Sequence, residues 1–239
     1  MDHRSAVHFI PIATSVFALV FSVVIARRYR ERGGPHLAWW SLGMLLYGVG
    51  TITEATTTLI GWHEPVFKAW YISGALLGGA PLAQGTVYLL LSRKTANRLT
   101  AALLTAVVIG ATCVLLSPVH FDLVEPYRLS GKVLTWSWVR AFSPFINLYA
   151  VAFLVGGAIL SAIRFRRKQE TRHRYHANVL IAIGAILPGI GGTFTRFGHV
   201  EVLYVTEFLG LCLLWAGYRL STVGHVFGAA SERSVAAAS

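Results

Sequence analysis

Two glutamates interrupt long apolar runs of the sequence. Glu54 stands in the stretch Gly-Thr-Ile-Thr-Glu-Ala-Thr-Thr-Thr, and Glu207 lies in the last apolar run. If these runs cross a membrane, an ionisable side chain within them costs several kcal/mol unless it is paired or hydrated, so each glutamate is a candidate functional residue. Thr51, Glu54 and Thr58 share one helical face because they are three and four residues apart. The spacing therefore predicts a polar site around Glu54.

Further polar side chains fall in the same layer as Glu54 when the runs are aligned as helices. We predict an outward-facing polar pocket in which the two glutamates face either Arg196 or Arg140. Its predicted ligand-binding members are Glu54, Thr51, Thr58, Arg196, Glu207, Asn147, Arg140 and Tyr71. The alternative is a set of ordinary interface anchors, with Arg196 extending to the lipid headgroups.

Glycine and proline cluster in the third and sixth apolar runs. The predicted hinge or packing residues are Gly74, Gly78, Pro81, Pro188 and Gly189. Glycines four residues apart let helices pack closely, and a proline inside a membrane removes a backbone hydrogen bond. Close packing with fixed kinks is one interpretation, and a hinge or cavity wall is the other. The third run also contains Gln84, for which we predict a buried interhelical hydrogen bond.

The sequence predicts no enzyme, no cofactor and no metal site. The last apolar run, residues 201–220, has no lysine for a retinal Schiff base, and no His-x-x-x-His pair occurs. The nine histidines lie outside the middle of the runs, so a bis-histidine haem is not expected. Cys113 and Cys212 lie in apolar runs, where cysteine is typically a small packed side chain.

The composition favours a membrane protein. Of 239 residues, 55% are hydrophobic and 13% are charged, whereas soluble domains are about a quarter charged. Several runs are long enough to cross a hydrocarbon core of about 30 Å as helices. We predict an all-α, polytopic bundle of seven transmembrane helices over residues 1–220, followed by a short cytoplasmic tail, 221–239. The predicted spans are about 8–26, 37–60, 67–92, 99–117, 139–163, 176–197 and 201–220.

The distribution of positive charge predicts the orientation of the bundle. With these spans, 15 of the 21 lysines and arginines fall on one side. The positive-inside rule then places the amino terminus outside and the carboxyl terminus in the cytoplasm, here across a bacterial inner membrane. Because the charge belongs to a series of inner loops, a nucleic-acid partner is not expected despite a net charge of +11. The densest loop offers a contact for anionic lipid or a protein partner through Arg164, Arg166, Arg167, Lys168 and Arg172.

A short sequence in the second span is similar to one in the sixth. Gly48-Val-Gly50-Thr in the second span matches Gly189-Ile-Gly191-Gly-Thr in the sixth, which suggests parallel duplicates arranged as 3+1+3. Chance likeness between hydrophobic helices is the alternative.

The long connection 117–137 alternates apolar and polar residues, so we predict a short hairpin or a cap over the mouth of the bundle.

The run from His36 to Arg93 resembles the seven-transmembrane sensor region at the amino end of some bacterial histidine kinases. It carries a Trp39-Trp40 start, Trp70, Gly79-Ala-Pro81 and Tyr88, and His176 to Gly192, with Leu187-Pro188, is similar to the sixth helix of that region. That family continues into a cytoplasmic kinase or cyclase domain, and this sequence stops at residue 239. The resemblance therefore implies a stand-alone sensor, a partner-coupled receptor or a recruited structural subunit.

These observations predict a receptor-like sensor for signal transduction. It would bind a small or amphipathic ligand in the outer polar pocket and couple to a signalling protein or a larger membrane complex. One alternative is a non-catalytic accessory subunit of such a complex. Another is a small-solute transporter, for which the suggested repeat is the support.

Overall fold

The computed structural model describes residues 6–166, 172–195 and 197–236, and this part of the chain is helical without a β-strand. A 3₁₀ turn, Ala6–Phe9, precedes the first helix. The helices are α1 (Ile10–Arg32), α2 (Pro35–Ile60), α3 (Glu64–Trp70), α4 (Ala80–Leu90), α5 (Arg93–Leu116), α6 (Phe142–Ala150), α7 (Gly156–Phe165), α8 (Arg172–Thr195) and α9 (Val200–Ala236). Two π-helical segments, π1 (Tyr71–Leu76) and π2 (Val151–Val155), precede the turn into α4 and join α6 to α7, respectively. The predicted all-α fold is confirmed.

Within the described residues, five helical segments are long and apolar enough to cross a membrane, as expected of a membrane protein. They are Ala6–Arg32, Arg93–Leu116, Ser137–Phe165, Arg172–Thr195 and Val200–Thr222. The second and third predicted spans are helical but are not in this group. α2 carries Glu54 and several threonines, which lower its hydropathy, and the third span is interrupted. Below, the upper end of the bundle is where α2 ends and α9 begins, and the lower end is where α1 ends and α2 begins.

The third predicted span, 67–92, is not one continuous helix. α3 passes into π1, a turn follows at residues 77–79, and α4 begins at Ala80. Gly78 has a φ of 44°, which glycine adopts without steric cost. Pro81 lies in the first turn of α4, where its missing N–H costs nothing. The predicted hinge residues Gly74, Gly78 and Pro81 thus surround a real break in the backbone helix.

The sixth predicted span, in contrast, is continuous through Pro188 and Gly189 as part of α8. A methyl group added at Gly184 would lie 2.7 Å from the carbonyl oxygen of Gly210 on α9, and one at Gly210 would lie 2.7 Å from that of Gly184. The two backbones therefore approach as closely as they do because both positions lack a side chain. A methyl group at Gly189 would meet nothing within 4 Å, so Gly189 does not mediate this packing.

The last helix is longer than the sequence predicted. The predicted boundary at Leu220 falls inside α9, which continues through Ala236. The side-chain hydroxyls of Ser221 and Thr222 donate to carbonyl oxygens one helical turn earlier. Alanine, which is frequent after Leu220, has the highest helix propensity, so the segment predicted as a separate tail extends the helix.

Some contacts in the structure fit the suggested 3+1+3 repeat, and others do not. Gly50 approaches Gly74 of the third segment and Gly191 approaches Leu203 of the seventh, as equivalent positions would. However, Gly48 packs against α1, whereas a methyl group at Gly189 would meet nothing. The third segment is interrupted and α9 is continuous. The duplication therefore stays a prediction.

The connection 117–137 folds back on itself at the upper end. An antiparallel bridge joins Val119 to Leu134, and the segment contains short 3₁₀ turns. Arg128 donates from Nη2 to the carbonyl oxygen of Thr195 at 3.0 Å, which ties the connection to the end of α8. The segment has the character of the hairpin that its alternating pattern predicted.

Candidate functional site

The carboxyl groups of Glu54 on α2 and Glu207 on α9 face each other within hydrogen-bonding reach. Each residue lies six or seven positions from the upper end of its helix, which is about 10 Å along the axis. Glu54 is 6% exposed. Oε2 of each glutamate is enclosed and accepts no hydrogen bond from a donor in the described part of the chain. The two residues form what we call the carboxyl pair.

A third element holds one oxygen of the carboxyl pair. Trp70, the last residue of α3, donates its indole N–H to Oε1 of Glu54 at 2.9 Å. Directly after Trp70, π1 approaches α2 closely, because a methyl group at Gly50 would lie only 3.6 Å from Cα of Gly74. The position of the Glu54 carboxyl group is therefore set by the start of the interrupted third segment.

Hydroxyl groups connect the helices around the carboxyl pair. The Tyr47 hydroxyl donates to the backbone carbonyl oxygen of Glu207 at 2.9 Å. Thr58 and Tyr204 share a hydrogen bond of 2.5 Å between their hydroxyls. Both tyrosines lie close enough to interact electrostatically with the two carboxyl groups. These contacts join α2 to α9 on both sides of the pair.

Thr51 joins α2 to α1 instead. Its hydroxyl lies 2.8 Å from the hydroxyl of Ser15, and both side chains are buried. Thr51, Glu54 and Thr58, which the sequence placed on one helical face, thus each hydrogen bond with a different neighbouring helix. The site is a buried polar layer and does not open to the outside as the predicted pocket would, because Glu54 is enclosed.

No basic residue neutralises the carboxyl pair within the residues described. The ion pairs found there are His8 with Glu201, Lys68 with Glu64 and Arg128 with Glu125. Arg140 is exposed in the 3₁₀ turn Ser137–Ala141, near Tyr71, and forms no ion pair with either glutamate. The predicted contact of Arg140 with the glutamates is therefore not present. The other predicted cation, Arg196, lies outside the described residues.

Two predicted members, Tyr71 and Asn147, belong to a second polar group. Ser143 donates from Oγ to the Tyr71 hydroxyl at 3.4 Å. Asn147 donates from Nδ2 to the carbonyl oxygens of Ala75 at 3.0 Å and Ser143 at 2.9 Å. This group joins π1 to α6. It neighbours the carboxyl pair because Trp70 and Tyr71 are consecutive, but the two side chains project in directions about 100° apart.

Four further members of the site were not predicted from the sequence: Tyr47, Tyr204, Trp70 and Ser15. A signal existed for the tyrosines, because Tyr47 is one turn before Thr51 and Tyr204 is three residues before Glu207. Residues three or four apart share a helical face. Trp70 looked like an ordinary interface aromatic, and nothing in its local sequence pointed to Glu54.

A separate buried network confirms the prediction for Gln84. The side chain is fully buried, and its amide nitrogen, Nε2, donates to the Thr100 hydroxyl on α5 at 2.7 Å. The Tyr149 hydroxyl on α6 donates to Oε1 of Gln84. One glutamine thus connects α4, α5 and α6.

The predicted contact residues for lipid or protein lie at the lower end as far as they are described. Arg164 and Arg166, at the end of α7, and Arg172, at the start of α8, are exposed. Arg167 and Lys168 lie outside the described residues. Burial, with Arg28 and Arg93 nearby, lowers the pKa of His36 at the same end. His36 therefore contributes less positive charge to the lower end than an unperturbed histidine would.

The carboxyl pair has the chemistry of a site for a proton or a cation. Two enclosed carboxyl groups in contact cannot both carry an uncompensated negative charge, so a proton or a positively charged group must lie between them. In the described part of the chain, no three histidine, cysteine or acidic residues form a group that could hold a metal ion.

No protein family, curated protein or solved structure matches the chain. The geometry of the carboxyl pair therefore carries the functional argument.

Proposed function

We propose that the chain is a membrane sensor that binds a proton or a small cationic molecule between Glu54 and Glu207. The observation that supports this most is an enclosed pair of carboxyl groups without a basic partner in the described residues. Such a pair costs folding free energy, and a bound cation offsets that cost. In this proposal the chain is receptor-like, performs no catalysis and passes a signal to a protein partner.

The route for the signal begins at Trp70. Removing the cation leaves two negative charges in contact, and their repulsion would push Glu54 away from Glu207. Trp70 holds Glu54 and leads directly into π1, and π-helical segments recur at functional sites. α4 follows the break, and Trp40 of α2 donates to the carbonyl oxygen of Leu82 at 3.1 Å. A shift of π1 would therefore reach the lower end through α4.

We also propose that the chain crosses the membrane seven times. α2 spans 26 residues, which is about 39 Å of helix, and α3 to α4 cover a similar stretch. These two segments would cross the membrane with the other five, giving seven crossings with the amino terminus outside. The lower end would then face the cytoplasm of a bacterial cell, where Arg164, Arg166 and Arg172 would meet the partner or anionic lipid.

Infrared difference spectroscopy of the protein in lipid nanodiscs tests the carboxyl pair. A protonated carboxyl group has its own C=O stretching band, and an enclosed one exchanges slowly into D2O. We expect a slowly exchanging carboxyl band that Glu54→Gln and Glu207→Gln each shift or weaken, because one enclosed carboxyl group remains, and that the double variant lacks. Glu201→Gln is the matched control, because Glu201 is on the same helix but half-exposed. Its spectrum should retain the band.

The same spectra separate a proton from other cations. If sodium or tetramethylammonium chloride removes the band while the circular dichroism spectrum is unchanged, the site binds that cation in place of the proton. A band that is unchanged in both single variants, or that persists in the double variant, contradicts the proposal. So does a wild-type protein without any slowly exchanging carboxyl band in every salt tested.

One observation favours a second function, that of an accessory subunit of a larger membrane complex. Only 17% of the apolar window of α5 is buried, which leaves a long apolar face for lipid or for a partner helix. Extraction with a mild detergent distinguishes the two functions. Co-purification in fixed stoichiometry with a large assembly favours the subunit, and a lone protein with the carboxyl band favours the sensor.

A further inference from the structure

A cavity of about 330 Å³ lies at the lower end between the last turns of α1 and the middle of α9. It is separate from the carboxyl pair, and it is called the arginine cavity below. Its lining residues are Val24, Arg27, Arg28, Glu31, Arg32, Tyr218, Arg219 and Thr222. The volume is sufficient for a polar headgroup.

The arginine cavity has a large excess of positive charge. Four of its lining residues are arginines and one is a glutamate. None of the four arginines forms an ion pair with a carboxylate in the described part of the chain. Guanidinium groups bind phosphate oxygens through paired, charge-assisted hydrogen bonds. Arginines gathered at one cavity without carboxylate partners therefore favour an anionic ligand.

Aromatic rings position two of these arginines. The guanidinium carbon of Arg28 lies 5.8 Å from the ring centre of Tyr218, and that of Arg219 lies 5.7 Å from the ring centre of Trp215. The rings are themselves fixed, because Phe21 of α1 packs edge-on against Trp215 at 4.9 Å. Cation–π contacts of this kind restrain the guanidinium groups. The cavity is thus supported by packed side chains.

We propose that the arginine cavity binds the phosphate headgroup of an anionic membrane phospholipid. Val16, Val20, Val24 and Arg28 follow one another at four-residue intervals along one side of α1. Val16 and Val20 are exposed, so an apolar stripe leads along the membrane span directly to the arginines. A lipid offers both parts of the matching ligand, acyl chains for the valines and a phosphate for the guanidinium groups. This inference does not depend on the proposed sensor function.

Lipid binding is tested with the full chain in nanodiscs of phosphatidylcholine alone or with phosphatidylglycerol. We expect phosphatidylglycerol to raise the thermal unfolding midpoint and to remain bound in native mass spectra. Arg28→Ala with Arg219→Ala should weaken retention of phosphatidylglycerol by about ten-fold or more, since two charge-assisted contacts are lost. Lys94→Ala with Arg98→Ala removes the same charge from exposed residues at the lower end of α5 and should retain binding.

A second variant keeps the test informative if the double alanine variant does not fold. Glu31→Gln removes the carboxylate from the cavity lining and should tighten phosphatidylglycerol binding by about two- to five-fold. Glycerol phosphate, added to phosphatidylcholine discs, tests a soluble source of the same phosphate chemistry. Full stabilisation by glycerol phosphate overturns the assignment to a lipid. Equal loss of binding in the two double variants, or no effect of Glu31→Gln, overturns the assignment to this cavity.

Discussion

Trp70 at the end of α3 donates its indole N–H to Oε1 of Glu54 on α2 across 2.9 Å. This bond occupies one carboxyl oxygen, whereas Oε2 accepts no hydrogen bond from a donor in the described part of the chain. The same tryptophan is the residue before π1. This hydrogen bond thus connects the buried carboxyl pair to the start of the interrupted third segment.

Replacing Trp70 by phenylalanine removes this donor while retaining an aromatic ring. A hydrogen bond to a charged or buried carboxyl group contributes about 1.5–3 kcal/mol, so Trp70→Phe should lower the free energy of unfolding by that amount. Reversible unfolding in mixed micelles, followed by circular dichroism, measures it. Trp138→Phe is the control, because Trp138 is exposed and stacks on Trp136. Equal losses in both variants would contradict a specific role for the Trp70 bond.

The close approach of α8 and α9 gives a second prediction. Gly184→Ala places a methyl group 2.7 Å from the carbonyl oxygen of Gly210, so the two backbones must separate. We expect a loss of about 1–3 kcal/mol in unfolding free energy, the usual cost of overpacking.

Gly189→Ala is the matched control on the same helix, because a methyl group there meets nothing within 4 Å. Alanine has a helix propensity better than glycine by about 1 kcal/mol, so this variant should be neutral or more stable. The pair is measured by the same unfolding assay. A stable Gly184→Ala variant would show that α8 and α9 are further apart than their glycines indicate.

The Gln84 network gives a third prediction. Gln84→Leu leaves the Tyr149 hydroxyl without its amide partner, and an unsatisfied buried polar group costs about 1–3 kcal/mol, whereas the Thr100 hydroxyl keeps its bond to the Ala96 carbonyl oxygen. Tyr149→Phe removes one hydroxyl and should cost less. In the double variant the two losses should not add, because both remove the same hydrogen bond. Fully additive losses would indicate that the two side chains do not interact.

Much of the fold was predictable from apolar length and charge. The helices α1, α2, α5 and α8 follow the predicted spans, because a long apolar run admits few structures other than a helix in a membrane. The end of α9 was not predictable from hydropathy, since its last residues are polar or small and helical through propensity. The break in the third segment had a visible signal in Gly78 and Pro81, although its position needed the backbone geometry.

The candidate site was predictable only in part. Glu54 and Glu207 stood out because each is an ionisable residue in an apolar run. Local sequence does not determine which helices contact each other. The sequence therefore predicted an arginine partner for the glutamates, whereas in the structure the two glutamates contact each other. Tyr71 and Asn147 share their depth but project towards another helix. Sequence position predicts how deep a residue lies in the membrane. The rotation of each helix about its axis determines which neighbouring helix the side chain contacts.

The break at Gly78 gives the last prediction, which compares two glycines with positive φ. Gly33, at the end of α1, has a φ of 66°, a ψ of −167° and open space around it, so Gly33→Ala measures the backbone cost alone, about 1–3 kcal/mol. Gly78 has a φ of 44°, and a methyl group there would also collide with Oδ1 of Asn147. Gly78→Ala should therefore destabilise the protein more than Gly33→Ala does. Unfolding free energies of both variants provide the comparison.

Asn147→Ala separates the two contributions at Gly78. This substitution removes the colliding amide, so Gly78→Ala in that background should cost no more than Gly33→Ala does in the parent protein. The thermodynamic cycle isolates the contact between residues 78 and 147 from the hydrogen bonds that Asn147 makes to Ala75 and Ser143. If Gly78→Ala is as costly in the Asn147→Ala background as in the parent, the turn does not pack against α6, and the second polar group does not support the break.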